Sequence, residues 1–280
     1  MEKYEIIEIL EDNQDNIEKG NWEKVYETIS ESGCKRRDFS DFLIENGFDP
    51  SNLFKTYVPD YAFMGSHRLE YITLSNSIPE IGDSAFSWCT FLQSITLPNS
   101  LKEIGDKAFA ECSALKMVYL PEGVTSTLSL GNAAFRNCEN LEGFEGTCYI
   151  TKIGKSCFEN AISLKFFPWE NADDDIEIGA SAFYGCSFGK ITLTANITDV
   201  GNYAFSDSSI IVIDFSKTRY TSNVQKWTGI WIFTLLGKVG TVILPKDDEQ
   251  IESLWKNFLK NQGLKLKEPD ETDGWNIRYE

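Results

Sequence analysis

From Val58 onward the chain returns to the same order of aliphatic, glycine, small and aromatic positions. Ile81-Gly82-Asp83-Ser84-Ala85-Phe86-Ser87-Trp88-Cys89 is followed by Ile104-Gly105-Asp106-Lys107-Ala108-Phe109-Ala110-Glu111-Cys112. The aromatic marker falls at Phe63, Phe86, Phe109, Phe135, Phe158, Phe183 and Phe205, in steps of 23, 23, 26, 23, 25 and 22 residues. Five residues ahead of each stands Val58, Ile81, Ile104, Leu130, Ile153, Ile178 or Val200. The next position is Gly82, Gly105, Gly131, Gly154, Gly179 or Gly201, with Pro59 in the first unit. Phe233 precedes Pro245 by twelve residues, as Phe86 precedes Pro98, which marks an eighth, eroded unit. A fixed period of this length predicts a solenoid, because a single coil buries its apolar face only by stacking on neighbours.

Each column has a physical role. The end of Leu92-x-x-Ile95-x-Leu97 alternates as a half-buried strand does, with Leu92, Ile95 and Leu97 inward and Ser94, Thr96 and Pro98 outward. The repeated glycine suits either a left-handed backbone or a close approach of two coils. The Ala-Phe pair sets a small residue beside a large one, so that stacked coils interlock and the phenylalanines form one ladder.

The run Ile81 to Pro98, repeated from about Val58 to Pro245, closely resembles the repeats of BspA-like (Treponema pallidum-class) leucine-rich repeat proteins. The resemblance implies an α/β repeat solenoid, a curved array with a parallel β-sheet on its concave face. It also implies surface adhesion or protein binding as the family's kind of work, with partners that differ widely between members.

The flanks depart from the period. Residues 1–57 read as a helical N-terminal cap, 58–245 as the repeats, and 246–280 as a C-terminal capping helix and tail. Ile6, Ile7, Ile9, Leu10 and Ile17 make one helical stripe. Asn21 is placed to cap a second helix that ends near Gly33, and Asp38 a third that ends before Gly47. Asp247 or Asp248 is placed to cap a last helix with Ile251, Leu254, Trp255, Phe258 and Leu259 on one face. Trp227, Ile230, Trp231, Ile232, Phe233, Leu235 and Leu236 read as the core of an atypical final coil, and the tail from Glu268 as mobile or folded back.

Composition narrows the function. The formal charge of −17 argues against nucleic acid, which needs clustered Lys and Arg, and against anionic membrane surfaces. No stretch has the apolar length of a membrane span, and the first residues lack the basic and apolar regions of a secretory leader, so a cytoplasmic location is expected. Of seven cysteines, Cys89, Cys112, Cys138 and Cys186 share a column that elsewhere holds Ser66, Ala161 and Ser208. That exchange predicts a small buried space and reduced thiols. Neighbouring coils would bring such cysteines within about 5 Å, inside disulfide reach, so pairing is the alternative.

Candidate chemistry is sparse. His67, the one histidine, has no metal-spaced partner and reads as surface. Lys35-Arg36-Arg37 reads as a solvated loop, as does Asp173-Asp174-Asp175, which lacks the spaced ligands of a calcium loop. No nucleophile elbow, phosphate-binding glycine loop, zinc helix or paired-cysteine motif occurs, so neither catalysis, a cofactor nor a metal is expected. Among the outward strand positions, mostly small or polar, Tyr71, Met117, Tyr119 and Phe166 stand out as anchors for a protein or peptide. The leading reading is a non-enzymatic interaction scaffold. An intracellular effector or antagonist, even an acidic decoy, and a surface adhesin exported without a leader are the alternatives, with partner identity and oligomeric state left open.

Overall fold

The computed structural model describes residues 3–279 apart from 20, 34, 46–53, 55, 121–126, 147–148, 169–174, 195–196, 219–223, 238, 247–248 and 268–272. Gly47, Asp173, Asp174, Asp247 and Asp248 therefore lie outside the described residues. Helices are few: α1 (Lys3–Asp12), α2 (Gln14–Glu18), α3 (Trp22–Glu31) and α4 (Arg36–Glu45) precede the repeats and α5 (Glu249–Asn261) follows them. Between them the described residues form a parallel-sheet solenoid with one short 3-10 helix at Val224–Lys226.

Three sheets form its walls. Strands β1 (Tyr71–Thr73), β3 (Ser94–Thr96), β5 (Met117–Tyr119) and β7 (Gly143–Glu145) lie side by side in that order. A six-stranded wall contains β2 (Glu80–Ile81), β4 (Glu103–Ile104), β6 (Thr127–Leu130), β8 (Tyr149–Ile153), β9 (Ile176–Ile178) and β11 (Ile197–Val200), again in chain order. A third sheet contains β10 (Gly189–Thr192), β12 (Ile210–Asp214), β13 (Val239–Leu244) and β14 (Gly274–Tyr279). The sequence pattern led to one sheet; the aliphatic column Ile81, Ile104, Leu130 builds another.

The phenylalanine turn joins the walls within each coil. Rings from Phe63 to Phe233 stack in series with centroids 5.2, 5.0, 5.1, 5.3, 5.2, 5.3 and 5.8 Å apart. All eight are buried. Their amides extend the ladder along the axis: Phe86 N–H donates to Ala108 O and Phe109 N–H to Ala134 O, both at 2.7 Å.

Close approach, not a left-handed backbone, explains the repeated glycine. None of Gly82, Gly105, Gly131, Gly154, Gly179 and Gly201 has a positive φ. A Cβ on Gly105 would lie 2.6 Å from Asp83 Oδ1 and 2.8 Å from Asp83 N. The left-handed residues stand two before and two after the phenylalanine, as Ser84 (φ 54°) and Trp88 (φ 63°) flank Phe86. A further polar ladder follows the glycine column. Asp60, Asp83 and Asp106 each accept, through Oδ1, the backbone N–H of Asp83, Asp106 and Asn132 at 2.8, 2.7 and 2.6 Å.

At the amino-terminal end Phe54 continues the ring series, edge-on to Phe63 at 5.5 Å and to Trp22 of α3 at 4.7 Å. Asp41 Oδ1 accepts from Ser66 Oγ at 2.6 Å and His67 N at 3.0 Å, tying α4 to the first coil. At the other end Gln262 takes the bonds a further coil would take. Its carbonyl accepts from Phe233 N at 3.1 Å, its Oε1 from Ile232 N at 3.0 Å, and its Nε2 donates to Gly229 O at 3.2 Å.

Several expectations are corrected. Asn21 stands at the start of α3, yet its side chain makes no capping bond. Asp38 lies in the first turn of α4, which begins at Arg36, so the basic triplet runs into a helix rather than a loop. Pro98 is buried. Leu254 is exposed, because Trp255 and Leu259 define the buried face of α5. Ile230, Trp231 and Leu235 face solvent, while Ile232 and Phe233 carry the last coil's core. The tail, by contrast, takes one of its two expected states and folds back, β14 pairing with β13 from Val239↔Gly274 to Leu244↔Tyr279.

Candidate interaction surface

The pairing register decides which outward residues are neighbours. Tyr71, Ser94, Met117 and Gly143 occupy one line across β1, β3, β5 and β7, and an isolated bridge extends it from Gly143 to Phe166. Thr73, Thr96, Tyr119 and Glu145 occupy a parallel line two residues along each strand. The four residues singled out from the sequence therefore share one sheet face, Tyr71, Met117 and Phe166 in one line and Tyr119 in the next. Tyr71 and Phe166 are each 61% exposed and Tyr119 39%, whereas Met117 is half-buried.

The opposite face of these strands is fixed. Ile72, Ile95, Val118 and Phe144 are buried. Phe144 packs edge-on against Phe135 and Phe158 at 5.3 and 5.7 Å. Phe167, next to Phe166, packs the same way on Phe158 and Phe183 at 5.4 and 5.5 Å. The Tyr71 hydroxyl donates to Gln93 Oε1 at 2.8 Å, which ties the side chain to the neighbouring coil. Exposed rings on an immobile floor give up little side-chain entropy on contact with a partner.

The third sheet has two lines of its own, different in character. Lys190, Val212 and Thr241 align, as do Thr192, Asp214 and Ile243. Asp214 and Ile243 are buried, although they fall in the repeat column of Thr96 and Tyr119, which the sequence pattern places outward. Burial pushes the Asp214 carboxyl up, yet the Lys190 ammonium, with Nζ 2.8 Å from Oδ2, and Ser216 outweigh it and hold the group below its ordinary range. The run of exposed rings thus ends at Phe166. Glu145, exposed on that face, has no ion-pair partner among the described residues.

Other features offer less. A cavity of about 620 Å³ between α3 and the first coil is lined by Glu23, Glu27, Glu31, Asp60 and three tyrosines. Its carboxylates are exposed on the helix and coil surfaces. Among the described residues no group of three or more His, Cys, Asp or Glu is placed to hold a metal, and no helix is long and apolar enough to cross a membrane. His67 is exposed, its ring 6.2 Å from that of Phe91. Reading the sequence alone missed the exposed Trp88 and Phe91, which sit at coil corners outside the strand columns.

Comparison with protein families matches the BspA type leucine rich repeat region, in six copies, over residues 56–177 and 170–254. No curated protein matches the chain. Among solved structures, a leucine-rich repeat protein from Bacteroides ovatus is similar at 20% identity and a TM-score of 0.35, over 68% of this chain and 60% of that one. This chain thus spans less than two thirds of that protein's solved length. A leucine-rich repeat protein from Eubacterium ventriosum is similar at 15% identity and a TM-score of 0.33, over 71% of this chain and 68% of the other. The pneumococcal vaccine antigen PcpA is similar at 16% identity and a TM-score of 0.30, over 81% and 77%.

Proposed function

The chain belongs to the BspA-type leucine-rich repeat family, and from that premise we propose that it is a non-enzymatic scaffold. In this reading the face of β1, β3, β5 and β7 takes a protein or peptide. The observation that carries this reading is the set Tyr71, Tyr119 and Phe166, exposed around a half-buried Met117 on a sheet whose other side is locked in the core. Binding energy concentrates in a few aromatic anchors, and a rigid array of them is the kind of surface that supplies it. Family membership supports the same direction, since repeats of this type offer extended surfaces rather than enclosed pockets.

The reading is tested by affinity purification with wild type, with Tyr119→Ala plus Phe166→Ala, and with Glu80→Ala plus Glu103→Ala on the six-stranded wall. The expected result is a partner set lost with the first pair of changes and kept with the second. A partner set indifferent to Tyr119 and Phe166 contradicts it.

A further inference from the structure

The spacing along the Tyr71 line selects the conformation of what binds there, an inference that rests on this face being the binding surface. Large and small side chains alternate coil by coil: Tyr71, then Ser94, then Met117, then Gly143, then Phe166. Adjacent strands are about 4.8 Å apart, so the three large residues recur about every 9.6 Å along the solenoid axis. Tyr119 widens the middle ridge, standing beside Met117 on the same strand.

Three regular chains can lie across the strands, and their periods differ. An extended strand repeats a face about every 6.8 Å and falls about 3 Å short of the second ridge. A helix repeats a face about every 10.5 Å after seven residues and overshoots the third ridge by about 2 Å. A polyproline II chain repeats every three residues, about 9.3 Å, and meets both ridges within about 0.6 Å. Aromatic ridges with troughs between them suit proline rings, which lose little entropy because the chain is preformed. Charge adds a second condition. Glu145, unpaired among the described residues, stands in register with Tyr119 one coil away.

We propose that this face binds a proline-rich segment in the polyproline II conformation, with prolines three residues apart and a Lys or Arg beside them that meets Glu145. The segment runs along the axis, crossing β1, β3 and β5 toward Phe166.

A random dodecapeptide library displayed on phage is panned against the full chain and against Tyr71→Ala plus Phe166→Ala. Enriched sequences are then synthesised and titrated by fluorescence polarisation. Circular dichroism confirms that each variant is folded, as expected for changes at exposed side chains. The expected result is enrichment of Pro-x-x-Pro with a flanking basic residue. Binding should weaken about tenfold in Phe166→Ala, and Glu145→Gln should weaken it while flattening its salt dependence. Peptides that depend on Tyr71 and Phe166 but lack the proline spacing overturn this inference and leave the binding face standing. Peptides indifferent to those residues, or no enrichment at all, overturn both.

Discussion

Cys89, Cys112 and Cys138 each donate Sγ–H to the carbonyl of the phenylalanine one coil back, Phe63, Phe86 and Phe109, at 3.0, 3.1 and 3.0 Å. Cys186 does the same to Phe158 at 3.1 Å, and Ser208 Oγ to Phe183 at 2.7 Å. The column therefore holds a small residue, and where that is serine or cysteine its side chain also bonds the coil behind, while Ala161 fills the space without the bond. Cys112→Ser keeps the bond and is expected to cost under about 1 kcal/mol, whereas Cys112→Val leaves the Phe86 carbonyl with the Cys89 N–H alone, forces a branched side chain into a small space and costs about 1–3 kcal/mol. Urea denaturation of the two variants checks the order. The exchange with serine was visible in the sequence, but its reason was not, because the acceptor belongs to another coil.

The same thiols set a pH dependence. Burial pushes Cys89 up to about 12, and pushes Cys112, Cys138, Cys157 and Cys186 up as well. An unfolded thiol releases its proton near pH 8.5, so above that pH the folded state holds more protons than the unfolded one. This contribution to stability is complete below about pH 8 and declines as pH rises toward 12, by about 1.4 kcal/mol per pH unit for each thiol. The urea midpoint should fall between pH 8 and 10, and fall less steeply in Cys112→Ser. A midpoint whose pH slope is the same in both proteins contradicts the assignment.

Among the elements, the turn and the ends carry the information that the period alone does not. Gly105 sits where two coils touch, so Gly105→Ala must move backbone and is expected to cost about 1–3 kcal/mol in thermal or urea unfolding. Gln262 satisfies the last coil's exposed ladder, and Gln262→Leu should cost a similar amount, because the Ile232 N–H and the Gly229 carbonyl lose their side-chain partner together while Phe233 N–H keeps the backbone carbonyl. Phenylalanine, aliphatic and glycine columns were legible because each faces the core or a contact in every coil. The second sheet was not legible, since strands such as Glu80–Ile81 and Glu103–Ile104 are too short to alternate. The strand β14 did leave a signal in Trp275-x-Ile277-x-Tyr279, masked by the polar residues around it. Asp60, Asp83, Asp106 and Asn132 likewise form a readable column whose purpose appears only when coils are stacked.

At the level of the whole molecule, stability is shared between neighbouring coils, and the exposed face inherits its order from the buried ladder. Phe135→Ala removes a ring stacked on Phe109 and Phe158 and touching Phe144, and is expected to cost about 3–5 kcal/mol. Because each coil contacts only its neighbours, that loss should raise hydrogen exchange on both sides of the coil rather than at one site. The outward columns were legible in the sequence at Tyr71, Thr96, Tyr119 and Phe166, and failed at Pro98, Asp214 and Ile243, which are buried. The claim beneath both fold and function is that Tyr71 and Phe166 stand four coils apart on one straight line. Spin labels at these two positions, with Cys34 and Cys148 replaced by serine, measure that line directly by double electron–electron resonance. A single narrow distance distribution near 19 Å, about four strand spacings, is the expected result. A broad distribution, or one centred beyond about 30 Å, contradicts the stacked array and the surface built on it.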